Sequence, residues 1–214
     1  MKKERFTGST VEEALKKAIE KFDLREGEYE YDVIEKGFPG IFGLFTKEAV
    51  VEVKLKRKYY ERRLKEFLLG ILKHLNGHVR VEVRSSGKNY FVDIDGDRIG
   101  KLIGKHGKTL GALQHVSMIF LNRISDTKIN VIVDAGEYRE RRKRQLETIT
   151  KEAIEKAIKE RGKVILDPMF AFERRIVHEI VKKYRNVISY SIGMEPYRRV
   201  VIEFARNRRE ARMK

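Results

Sequence analysis

The chain has 214 residues, of which 41% are hydrophobic and 37% charged, so it holds enough apolar side chain for packed cores yet is more charged than an average soluble domain. It contains no cysteine, which excludes disulfides and thiolate metal sites, and no apolar run near the roughly 20 residues a spanning helix needs, so it is expected not to be an integral membrane protein. The formal net charge of +16 calls for polyanionic partners, with nucleic acid preferred over an anionic membrane surface. Residues 1–56 carry 11 basic against 12 acidic side chains, residues 57–136 carry 15 against 8, and residues 137–214 carry 22 against 12. The positive excess therefore lies wholly beyond the first quarter. Met-Lys-Lys-Glu-Arg leads into Ser9-Thr10-Val11-Glu12 and not into an apolar signal segment, so a cytoplasmic protein is expected.

Along the chain, a short strand is expected around Arg5–Thr7, then a capping box in which Ser9 or Thr10 faces Glu12 or Glu13. Val11, Ala14, Leu15, Ala18, Ile19 and Phe22 repeat at the spacing of one helical face. Tyr29, Tyr31 and Val33 alternate as in a strand, as do Val51, Val53 and Leu55. Between them, Lys36 to Phe45 reads as a loop with three glycines, a proline and five bulky apolar residues. That loop either folds onto its own domain or offers an apolar contact to a partner. Arg57 to Arg63 reads as a short basic joint.

The second segment begins with a helix carrying Leu64, Phe67, Leu68, Ile71, Leu72 and Leu75 on one face. Strands Val79–Val83 and Tyr90–Ile94 follow, with a turn at Ser85-Ser86-Gly87 between them. A short helix near Arg98–Ile103, the loop Gly104-Lys105-His106-Gly107, a helix with Leu110, Leu113, Ser117 and Phe120 inward, and a strand Ile129–Val133 complete it. Gly107-Lys108-Thr109 imitates the end of a P-loop, but that motif's first glycine would stand at Leu102 and would follow a strand, not a helix. A calcium loop through Asp93, Asp95 and Asp97 fails as well, because it would need glycine at Arg98 and glutamate at Gly104. What remains is a two-glycine turn at a helix start, with Lys101, Lys105 and Lys108 around it: a place where backbone can approach phosphate closely.

In the third segment a charged helix is expected over 137–160 with a thin apolar stripe, Leu146, Ile149, Ala153, Ala157 and Ile158. A strand at Val164–Leu166, a helix over Glu173–Lys182 and strands Val187–Ile192 and Val200–Phe204 follow. Arg174 and His178 stand four apart, on one helical face; such a pair is commonly just a solvated face. The five histidines show no metal spacing, no nucleophile and base pair stands out, and neither cofactor nor metal is expected.

Ile99-Gly100-Lys101-Leu102-Ile103-Gly104-Lys105-His106-Gly107-Lys108-Thr109-Leu110, in that order of elements, resembles the type II KH domain of the bacterial Jag family, also called KhpB or EloR. The family usually has Arg within the loop and an acidic residue near position 111, where this chain has Lys105-His106 and Gly111. Asp167-Pro168-Met169, Arg174, His178 and the run from Ser189 to Ile202 are similar to the Arg-three-His domain with which such proteins end, although Phe170-Ala171 replaces a frequent Ser-Pro helix start. The Lys36-Gly37-x-x-Gly40-x-x-Gly43 loop looks like that of the Jag N-terminal domain, without the long charged linker many relatives carry after it.

The resemblance implies an α+β protein of three small domains: a β-α-β-β unit over 1–56 for protein contact, a type II KH domain (α-β-β-α-α-β) over 57–136, and a long helix plus Arg-three-His domain over 137–214. It further implies single-stranded RNA bound by Lys101, Gly104, Lys105, His106, Gly107 and Lys108, and single-stranded nucleic acid bound by Arg174, Arg175, His178, Tyr197, Arg198 and Arg199. Lys36, Gly37, Phe38, Gly40, Phe42 and Gly43 would meet a partner protein. The expected function is a non-enzymatic, post-transcriptional regulator tied to bacterial cell elongation and envelope synthesis. Expected partners are single-stranded RNA, a second small KH protein or a second copy of the chain, and an envelope or membrane-insertion protein. The competing classes are an adaptor docking by its N-terminal domain and a ribosome assembly factor.

Overall fold

In the computed structural model, which describes residues 2–38, 47–75 and 78–205, the chain divides after Gly136 into two compact units. The first unit opens with β1 (Lys3–Gly8), α1 (Val11–Phe22), β2 (Tyr29–Phe38) and β3 (Lys47–Leu55). The last strand lies in the middle, in the order β1-β3-β2, antiparallel to both neighbours. The expected cap is shared by two residues: the Thr10 hydroxyl accepts from the Glu13 N–H, and the Glu13 carboxylate accepts from the Ser9 N–H at 2.8 Å. Ala14 and Ala18 are the side chains that α1 buries completely as it packs on β1 and β3. β2 runs on to Phe38, so Lys36, Gly37 and Phe38 belong to a strand and not to a loop; Gly40, Phe42 and Gly43 lie outside the described residues. Gly37 has φ +77°, and a Cβ there would stand 2.8 Å from the Ala49 amide, so close strand packing accounts for this glycine.

The basic joint is not a joint. Arg57 begins α2 (Arg57–Leu72), whose first two turns pack on the N-terminal domain. Phe6, Phe22, Tyr59 and Tyr60 form an edge-to-face series with centroids 5.9, 6.4 and 5.2 Å apart. Arg62, nearly buried, donates from Nε and Nη2 to Glu28 at 2.6 and 2.9 Å, and from Nη1 to Asp23 and Glu66 at 3.1 Å. One of the positive charges counted as a linker, Arg62, is thus tied down inside one body, while Arg57 and Lys58 stay exposed.

α2 continues with Leu64, Leu68 and Leu72 buried, then β4 (Val79–Ser86) and β5 (Asn89–Gly96) form an antiparallel hairpin. Its turn is Gly87-Lys88, one to two residues later than expected, because Ser85 and Ser86 still pair with Tyr90 and Asn89. α3 (Ile99–Ile103) and α4 (Lys108–Ile124) cross over to β6 (Asn130–Ala135), which pairs parallel to β5. The order α-β-β-α-α-β is the one expected from the sequence. Leu110, Leu113, Ser117 and Leu121 are the buried face of α4; Phe120 instead stacks on Phe67 of α2, at 4.2 Å and 4° between planes.

The second unit contains α5 (Tyr138–Glu160), β7 (Lys163–Ile165), α6 (Ala171–Val181), β8 (Val187–Ile192) and β9 (Arg199–Phe204), with antiparallel strand order β7-β9-β8. Its core joins Leu146, Ile154, Val177, Val181, Val200 and Ile202. The buried stripe of α5 runs Leu146, Thr150, Ala153, Ile154, Ala157, whereas Ile149 and Ile158 are exposed. Thr150 hides the true stripe from an apolar count: its hydroxyl donates to the Leu146 carbonyl at 2.5 Å and so is satisfied inside the helix. Arg142 and Glu173 form a buried ion pair at 2.7 Å, and the other Glu173 oxygen accepts from the Phe170 N–H at 2.8 Å, which caps α6 without the family's Ser-Pro start.

Candidate nucleic-acid interface

Two clusters carry the expected site residues, one in each unit. In the first, α3 ends at Ile103 and α4 begins at Lys108, with Gly104–Gly107 between them. Gly104 has φ +70° and ψ −179°, and a Cβ there would stand 2.2 Å from Thr109 Oγ1. Neither the backbone angle nor the space admits another residue without strain. His106 and Gly107 also take positive φ, 54° and 77°, so the chain reverses in two residues and Gly107 enters α4 as its N-cap. No side chain caps this end, which leaves the first amides of a 17-residue helix without a side-chain acceptor at the cap. Lys101, Lys105 and Lys108 are exposed around the turn and His106 is half-buried. An anion with several oxygens is the ligand such a turn suits: backbone donors at close range, lysines at the rim.

In the second unit a cleft of about 430 Å³ is lined by Arg174, Arg175, His178, Lys182, Ser191 and Arg198, among others. The helical spacing brings Arg174 and His178 to one side of α6, as the sequence suggests, but the two are not equivalent. Arg174 is only 7% exposed, and its guanidinium donates to the Met169 carbonyl at 2.8 Å and to the Glu195 carboxylate at 2.6 Å. It therefore lies in the wall of the cleft, with both terminal nitrogens of its guanidinium already donating to the protein. His178 sits between two strand hydroxyls, with Nδ1 2.7 Å from Ser189 Oγ and Nε2 2.9 Å from Ser191 Oγ. Burial, reinforced by the positive charges of Arg174, Lys182 and Arg198, lowers its pKa below the ordinary histidine value. The neutral ring then has one donor and one acceptor nitrogen for its two serines.

Arg175 and Arg198 are exposed in the lining of the cleft, whereas Tyr197 is exposed and Arg199 partly covered at the start of β9, and neither of these two is among its lining residues. Ser189, Ser191, Glu195 and Lys182 complete the cluster and were not among the expected site residues. The two serines are two apart on a strand and so share a face, a signal visible in the sequence; that His178 would lie between them is not. Among the described residues no group of three or more His, Asp or Glu side chains is placed to hold a metal ion.

Residues 6–55 match the family described as Jag N-terminus, residues 61–133 the KH domain of KhpA and KhpB, and residues 144–203 the Arg-three-His domain. Fold and site thus define a three-domain α+β protein that joins a KH module to an Arg-three-His module. The chain is 37% identical over 207 residues to the RNA-binding protein KhpB of Clostridium symbiosum, covering 95% of this chain and 93% of that one. It is 33% identical over 202 residues to the RNA-binding protein KhpB of Bacillus subtilis (strain 168), covering 93% and 97%. The chain belongs to the KhpB family, also called Jag. Among the described residues no helix is long and apolar enough to cross a membrane.

Proposed function

We propose that the chain binds single-stranded RNA in the cytoplasm, with Gly104, Lys105, His106 and Gly107 as a backbone clamp on phosphate and Lys101 and Lys108 beside it. The observation that carries this reading is the strained reversal at Gly104–Gly107, which opens directly onto a helix start that no side chain caps, with exposed lysines at Lys101, Lys105 and Lys108. The cleft of the Arg-three-His domain adds a second contact. There Arg175, Arg198, Arg199 and Tyr197 meet the nucleic acid, while Arg174 and His178 hold the wall against which it lies. The relatives from Clostridium symbiosum and Bacillus subtilis are named RNA-binding proteins, which supports the same class for this chain. Regulation of transcripts for cell elongation and envelope synthesis is the finer reading, and it rests on the family resemblance alone.

A second small KH protein is the proposed partner of α4, where Val116 and Ile119 are exposed one turn apart on the side away from the core. Docking of an envelope or membrane-insertion protein belongs to the N-terminal domain, whose near-neutral charge suits it poorly to RNA. In-cell crosslinking and sequencing of bound RNA tests the main reading. Recovered transcripts should be enriched with the natural chain and lost with Lys105→Asp/His106→Asp. Equal recovery from both would overturn the clamp.

A further inference from the structure

β2 is an edge strand: β3 pairs with one side of it, and no described strand pairs with the other. Its apolar side is open. Tyr31, Val33, Ile34 and Phe38 are 45%, 41%, 47% and 49% exposed, although Tyr31 and Val33 pair with Val53 and Val51, which are fully buried. The cause is that α1 lies over β1 and β3 and barely reaches β2. A free edge with an uncovered apolar face is the template for an added strand.

The opposite face of the same sheet says what that strand should carry. Reading across it, Lys3 and Arg5 of β1 hold Glu52 of β3 at 3.0 and 3.7 Å. Asp32 of β2 is the cross-strand partner of Glu52, and it makes no ion pair among the described residues. The carboxylate row thus has cations on the β1 side and none at Asp32 on the free side. Glu30 and Glu35 draw on Lys56 and Lys47, at 2.9 and 2.8 Å, so these two lysines are already engaged by other carboxylates. A second copy of this chain fits poorly, because pairing β2 with itself would set its own carboxylates opposite one another.

We infer that the β2 edge, over its regular stretch Tyr29–Val33 before the bulge at Ile34, receives an extended partner segment in which apolar and basic residues alternate. The apolar positions cover Tyr31 and Val33, and the basic ones stand beside Asp32. This rests on the N-terminal domain being the protein-contacting part of the chain, and it names how that contact is made.

The test uses the full chain and three synthetic peptides: alternating lysine and valine, alternating glutamate and valine, and the lysine–valine peptide N-methylated at every amide, so that neither of its edges can pair. The lysine–valine peptide should bind and slow hydrogen exchange of amides in Tyr29–Val33; the other two should bind more weakly. Asp32→Lys, an exposed edge position, should weaken the lysine–valine peptide roughly threefold to tenfold and strengthen the glutamate–valine one. Absence of lysine–valine binding overturns the inference, as does equal binding of the N-methylated peptide. Binding that leaves β2 exchange unchanged also overturns strand addition, while leaving protein docking by this domain in place. Lys105→Asp/His106→Asp should bind the peptide as the natural chain does, so failure of the RNA reading is separable from failure of this one.

Discussion

At the scale of single residues, Gly104 is the most constrained position of the candidate site. Gly104→Ala combines a positive φ with a Cβ against Thr109, a strain of about 1–3 kcal/mol concentrated in the turn. RNA affinity is expected to fall more than tenfold while the circular dichroism of the chain stays unchanged; unaltered affinity would show that the turn geometry does not matter. This glycine was readable in the sequence because a tight reversal between helices leaves few alternatives to it. His178 was readable only by spacing, and its chemistry was not, since Ser189 and Ser191 reach it through the fold. Its folded pKa lies below the unfolded value, so the unfolded chain binds more protons between the two and stability rises with pH across that window. The contribution is complete above the ordinary histidine value and is lost as pH falls through the folded one. A melting series at stepped pH should show this slope in the natural chain and a smaller one in His178→Gln, and NMR should find the ring titrating below an exposed histidine.

At the scale of elements, the pattern of apolar spacing placed helices and strands well but said little about which neighbours they meet. The alternation of Tyr29, Tyr31 and Val33 predicted a strand, and the strand is there, yet whether its apolar face is covered depends on where α1 lies, and that is a tertiary fact. Arg57–Arg63 looked like a linker because its charges were counted without their partners; Asp23 and Glu28 neutralise Arg62 from the preceding domain. Glu28→Ala removes the principal partner of a nearly buried arginine and is expected to destabilise the first unit by about 3 kcal/mol, the low end for breaking such a pair, because Arg62 keeps Asp23 and Glu66. Urea unfolding followed at Tyr59 and Tyr60 would measure it. A change under about 1 kcal/mol would mean that the aromatic series, and not the ion pairs, joins the two domains. Loss of RNA binding on deleting residues 1–56 would for the same reason report exposure of α2's inner face before it reported a missing contact.

At the scale of the molecule, element order was the strongest signal in the sequence: α-β-β-α-α-β around a Gly-x-x-Gly turn leaves little choice of fold, and a parallel β5-β6 pair follows from the two-helix crossover. Long-range pairs such as Arg142 and Glu173, 31 positions apart, had no local signature. The charge division also has a consequence in solution. With an N-terminal domain near neutrality followed in sequence by basic KH and Arg-three-His domains, salt-sensitive binding is expected in the latter two, and each phosphate contact removed should flatten the salt slope by about 0.7. The most direct test of the clamp is the RNA affinity of full-length Lys105→Asp/His106→Asp over a range of salt. Aspartate tolerates the left-handed backbone at position 106, so the fold should persist. The account predicts loss of most affinity together with a shallower salt dependence. A folded variant that binds single-stranded RNA as tightly as the natural chain, with the same slope, would contradict it.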